Sequence, residues 1–103
     1  MDISELKKLS DRSFETALAK QNALEKAKSR MVLAHDGHLF LANAETINLV
    51  KTLADMDTVV LLDANDNPVL IDDPKGFLLK LIERNQEVLN RYHQTYVELQ
   101  KLR

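Results

Sequence analysis

At 103 residues the chain has room for one domain built on one core. Apolar residues make up 45% and charged residues 29%, a globular balance; with 5% aromatic residues and no Trp, the core must rest on Leu, Ile, Val and Ala. The absence of Cys excludes a disulfide framework, a thiolate metal site and a cysteine nucleophile. The sequence opens without a basic stretch followed by an apolar run. Its longest apolar runs, at 31–34, 39–42 and 59–62, have four residues each. Neither a secretory signal nor a membrane span is expected, and the chain reads as soluble and cytoplasmic.

A net charge of −2 hides an uneven spread. Residues 1–30 carry seven Lys/Arg against five Asp/Glu, and residues 74–103 carry six against three. Between them, residues 31–73 carry Lys51 alone against eight acids. An acidic middle repels phosphate, and the arms interleave acids with bases, which argues against nucleic-acid binding.

In chain order, Asp2 and Glu5 have capping-box spacing ahead of a helix over 2–30. Ile3, Leu6, Leu9, Phe14, Ala17, Leu18, Leu24 and Ala27 recur along it at helical intervals. Ser10-Asp11-Arg12-Ser13 marks a point where the helix could break, because short polar side chains compete for backbone hydrogen bonds. Residues 31–34, the turn His35-Asp36-Gly37-His38 and residues 39–42 read as strand, turn, strand. Asp-Gly is a pair suited to the two positive-φ positions of a type I′ turn. The other reading continues the first helix to Ala34 and leaves only 39–42 as a strand. Asn43 is placed to cap a short helix over 44–56.

Residues 58–62 form a β-branched strand, 63–67 a polar turn, and 68–71 the returning strand. Pro68, which has no N–H, suits the first position of that strand. The two hairpins could share one antiparallel sheet. Asp73 as N-cap and Pro74 at the first helical position open the last helix, expected to run to about Leu102. Leu78, Leu81, Asn85, Val88, Tyr92, Thr95, Leu99 and Leu102 fall three and four apart on it. Ile82, Leu89 and Tyr96 widen that seam into a stripe of the kind found in bundles. A helix of this length spans roughly 40 Å, against a radius of gyration of about 13 Å for a compact domain of this size. It therefore needs a cover, either the first helix or a second subunit. The fold class is α+β, two long helices flanking a hairpin-bearing middle in the order α-ββ-α-ββ-α.

Few residues suggest chemistry. Asp63, Asn65 and Asn67 match the first oxygen positions of a calcium loop. Pro68 then stands where Gly is needed and Pro74 where Glu is needed, so a polar hairpin turn is expected. His35, Asp36 and His38 are candidates for a transition-metal set on one turn, against the plainer reading of exposed turn histidines. His93 should face solvent. The acids of the middle, Asp55, Asp57, Asp63, Asp66, Asp72 and Asp73 among them, fall mostly at element ends, where Asp caps helices and starts turns. The sequence contains no Gly-rich phosphate loop, serine elbow or HExxH pattern. No cofactor and no enzymatic activity are expected. Asn85, in the middle of the apolar seam, either fixes register and oligomeric state or reaches solvent at the stripe's edge.

Two resemblances follow from these elements. The helix–hairpins–helix plan resembles that of prefoldin, whose subunits carry β-hairpins between the arms of an antiparallel coiled coil. That likeness implies client-gripping helices and a strand-built assembly body; the inserted helix 44–56 departs from the plan. The segments VVLLDANDNPVLI and FLLKLIERNQEVLNRYHQTYVELQKLR, about two fifths of the chain, resemble small uncharacterised proteins of tailed bacteriophages, a likeness that implies no activity.

The expectation is a non-enzymatic interaction or assembly protein that forms a homo-oligomer, dimer or higher, with a further protein partner open. Its interface would be Leu78, Leu81, Ile82, Asn85, Val88, Leu89, Tyr92, Tyr96 and Leu99, with the acidic middle facing outward. A holdase binding clients between helical arms is the alternative, and a small metal-binding protein or enzyme the third reading.

Overall fold

A computed structural model describes residues 3–101. They form α1 (Ile3–Arg30), β1 (Val32–His35), β2 (His38–Leu41), α2 (Ala44–Leu53), β3 (Val59–Leu62), β4 (Pro68–Ile71) and α3 (Pro74–Lys101), the α+β order expected. Asp2, half of the expected capping box, and Leu102 lie outside the described residues. α1 is unbroken through Ser10-Asp11-Arg12-Ser13. Thr16 turns its hydroxyl back onto the Arg12 carbonyl at 2.9 Å, a local bond compatible with the helix.

The first helix stops at Arg30, so residues 32–35 are strand rather than helical extension. β1 and β2 close through Asp36 and Gly37, whose φ angles of 49° and 78° are both in the left-handed region. A Cβ on Gly37 would meet nothing within 4 Å, so backbone conformation alone accounts for glycine there. Asn43 caps α2 by accepting the Thr46 N–H at 3.0 Å. That helix ends at Leu53, short of the expected 56. The tighter bonds Ala54 N–H to Lys51 O and Met56 N–H to Leu53 O wind the chain out of it. Pro68 is the first residue of β4 and pairs with Leu62. Asp73 caps α3 through the Gly76 N–H at 3.1 Å, with Pro74 next.

The hairpins do not share a sheet: β1–β2 and β3–β4 are separate two-stranded sheets. Beyond β2 comes the turn 63–67 rather than another strand, joined by the Ala64 N–H to the Leu39 carbonyl at 2.7 Å. That turn is curled, with Asp66 at φ 63°, and cannot extend a ladder.

The chain divides into two compact units. Arg30–Val88 holds both hairpins, α2 and the first half of α3. Its core joins Phe40, Val50, Val59, Leu61, Val69, Ile71, Phe77 and Leu81. The Phe40 and Phe77 rings meet edge to face at 4.9 Å, a favoured aromatic geometry. The other unit comprises the described parts of Met1–Ser29 and Leu89–Arg103, a pair of helical segments. Within it Ala27 is buried and Lys20 Nζ lies 5.4 Å from the centre of the Tyr96 ring.

Leu81 and Ile82 are neighbours in sequence and opposites in burial, at 0% and 38% exposure. Leu81→Ala should lower unfolding free energy by about 2–5 kcal/mol, whereas Ile82→Ala should cost less than about 1 kcal/mol. Urea titrations of the two variants measure the contrast, and equal losses would mean that the helix is rotated from the face described.

Candidate functional site

Asp63 is the only buried polar or charged residue among those described, 6% exposed at the close of β3. Oδ1 accepts the N–H groups of Asn65 and Asn67 at 2.8 and 2.9 Å, and the Asp63 N–H donates to the Asn67 carbonyl at 2.9 Å. Oδ2 accepts from His38 Nδ1 at 3.0 Å and from the Asn67 amide at 3.5 Å. An ionised carboxylate can only accept, so Nδ1 is the protonated nitrogen of His38. The Asn67 N–H is the largest influence on the acid. With His38, the Asn65 N–H and the Asn67 amide, it outweighs burial and lowers the pKa from 3.8 to about 2. The loop that resembles a calcium site is thus a hairpin turn closed on its own aspartate.

The histidines expected on the turn are instead the last residue of β1 and the first of β2, paired across the strands, and they are directed to different partners. His38 meets Asp63, while the His35 ring stands edge-on to Phe77 at 5.0 Å and to Phe40 at 6.3 Å. Nε2 of His35 reaches Asp36 Oδ2 at 3.3 Å. Among the described residues no group of three or more His, Cys, Asp or Glu side chains is placed to hold a metal ion. Asp73 is occupied as a helix cap, Asp55 lies 3.9 Å from Lys75 Nζ on the surface, and His93 is exposed.

The residues expected at an oligomer interface have several fates. Leu81 and Val88 are buried in the chain's own fold, Leu78 packs against the same core, and Ile82 is exposed. Asn85 has a partner within its own chain: its Nδ2 donates to the Ala42 carbonyl at 2.9 Å, just beyond β2. Beside it Arg84 Nε donates to the Val32 carbonyl at 3.0 Å. Leu89, Tyr92, Tyr96 and Leu99 are half-buried. The last two line an open groove of about 370 Å³ with Thr16, Ala17, Lys20 and Leu24 of α1.

Among the described residues, Leu49, Met56 and Leu79 are exposed singly, and other exposed apolar side chains fall in groups on one element. On α1, Ile3, Leu6, Phe14 and Leu18 are exposed, Phe14 by 69%. On the β3–β4 hairpin, Val59, Leu61, Val69 and Ile71 face the core while Val60, Leu62, Pro68 and Leu70 face away from it. The second surface was legible in the sequence, since VVLL and PVLI lack the polar alternation of a strand covered on one side only. Leu39 and Leu41 of β2 are likewise exposed. Among the described residues no helix is long and apolar enough to cross a membrane.

Comparison with protein-family models, with curated proteins and with solved structures returns no match. The chemistry of the site therefore stands on its geometry alone.

That geometry fixes a pH dependence. Asp63 titrates lower folded than unfolded, so its contribution to stability is complete above pH 3.8 and is lost as the pH falls toward about 2. Asp63→Asn should lower the melting temperature at neutral pH and flatten the decline across that window. Thermal melts at a series of acidic pH values test this; a variant profile as steep as the wild type's would show that another acid governs the decline.

Proposed function

We propose that this chain is a non-enzymatic assembly protein that self-associates through its helical unit. The supporting observation is the uncovered stripe Ile3, Leu6, Phe14 and Leu18 on α1, where four large apolar side chains meet solvent. We take a second copy of the chain as the occupant, because residues 3–18 balance three bases (Lys7, Lys8, Arg12) against three acids (Glu5, Asp11, Glu15). Two such stretches meet without net repulsion, and each offers the apolar area the other lacks. The C-terminal segment of the same helical unit contributes its exposed Val97, whereas Leu81 and Val88 are buried in the other unit. The likeness of the β3–β4 and α3 segments to small bacteriophage proteins suits an accessory or structural role in an assembly. A cytoplasmic setting suits a chain without cysteine.

The same exposed stripe also supports the alternative of a holdase, whose apolar helices grip unfolded clients. The two readings differ in what covers the stripe. A sealed oligomer excludes an apolar dye such as ANS in its native state, and a holdase binds it.

Phe14→Glu separates them without threatening the fold, because that side chain makes little contact within its own chain. Losing one large apolar anchor should weaken self-association roughly 10- to 150-fold, read as a fall in sedimentation mass at fixed concentration with an unchanged circular dichroism spectrum. A wild-type chain that sediments as a monomer at every concentration would rule out the assembly reading.

A further inference from the structure

We propose that the outward face of the β3–β4 hairpin is a docking surface for a cationic amphipathic segment of a partner protein. The ladder pairs Val60 with Leu70 and Leu62 with Pro68, which puts these four side chains on one face as two adjacent cross-strand pairs. Val60, Leu62 and Leu70 are 63%, 61% and 57% exposed, and the face carries no polar side chain. The inner face of the same hairpin is filled by the core around Phe77 and Leu81. A strand apolar on both sides is the pattern of one covered on both sides, and the described residues supply only the inner cover.

The nature of the occupant follows from charge. Residues 52–74 hold six acids and no Lys or Arg. Asp63 and Asp73 are engaged by backbone N–H groups, and Asp55 lies near Lys75. Asp57, Asp66 and Asp72 are exposed at the ends of the strands, and their carboxylates form no ion pair among the described residues. A second copy presenting this same face would bring like charges together. The exposed stripe of α1 from another copy carries no net charge over residues 3–18 and gains nothing from the acids. A segment with apolar residues on one side and Lys or Arg at its margins satisfies both the apolar face and its acidic border. This surface is separate from the helical stripe through which the protein is proposed to self-associate, so the two readings fail independently.

The probe is a synthetic amphipathic Leu/Lys peptide, with a Leu/Glu peptide of identical pattern as its control, titrated against the full chain by isothermal calorimetry. The Leu/Lys peptide should bind at least about tenfold more tightly than the control, and raising NaCl from about 0.05 M to about 0.5 M should weaken it. The double variant Leu62→Ser/Leu70→Ser should lose about tenfold or more in affinity while its melting temperature stays near that of the wild type. Phe14→Glu should bind the peptide as the wild type does, whatever it does to sedimentation. Equal binding of the two peptides, or binding unchanged in the Leu62/Leu70 variant, would overturn the proposal. A fall in sedimentation mass caused by the Leu62/Leu70 variant would also overturn it, by showing that a second copy covers the face.

Discussion

Phe77 and Leu81, one turn apart near the start of α3, are buried to within 2% of completely and belong to the cluster that includes residues of both hairpins and α2. A two-stranded sheet is marginal at best on its own in water, and this unit contains two, not hydrogen-bonded into one. What makes them stable together is a common apolar surface. Phe40 reaches it from β2, Val59 and Leu61 from β3, Val69 and Ile71 from β4, and Val50 from α2. The short elements therefore depend on the helix. Its own start is secured by Asp73 and Pro74, where the cap and the missing proline donor leave no frayed first turn to misplace Phe77.

Separate sheets leave backbone groups that a larger sheet would have paired, and side chains from elsewhere take them up. Arg84 and Asn85, adjacent on α3, donate to the carbonyls of Val32 and Ala42, at the start of β1 and just past the end of β2. Burying those carbonyls unpaired would cost roughly 1–3 kcal/mol each. Asp63 does the corresponding work at the other hairpin, gathering two backbone N–H groups and the His38 ring around one carboxylate. The ion pairs of the surface, such as Lys75 with Asp55, contribute little beside this.

Features decided by neighbouring residues were legible in the sequence. The Asp36-Gly37 turn, the Asn43 cap and the Asp73-Pro74 start each depend on chemistry within four residues, and each appears as read. The strand at 32–35 needed the structure to choose between two readings, because a short apolar run suits either a strand or a helix end. Features decided by distant partners were not legible. Asn85 bonds a carbonyl 43 positions away, and no periodicity in α3 says where that carbonyl lies. The breadth of the α3 stripe was plain, but not its division: Leu81 and Val88 are in the hairpin-bearing unit, while Tyr96 and Leu99 line the groove with α1. The single shared sheet failed for the same reason, since nothing local dictates what meets the free edge of β2.

The acids of the middle have two kinds of cause, and separating them bears on what the hairpin surface can meet. Asp36 and Asp66 sit at positive φ, which Asp tolerates better than most residues. Asp63 closes a turn and Asp73 caps a helix. Local backbone chemistry is sufficient reason for these four. It gives no reason for the absence of Lys and Arg from residues 52–74, because exposed positions such as Thr58, Ala64 and Asn65 would carry a base at no evident structural cost. A mixed surface is what solubility alone favours. Exposed acids at the ends of the strands, Asp57, Asp66 and Asp72, instead discourage copies of that apolar face from pairing with one another, and leave the face open to a positively charged segment.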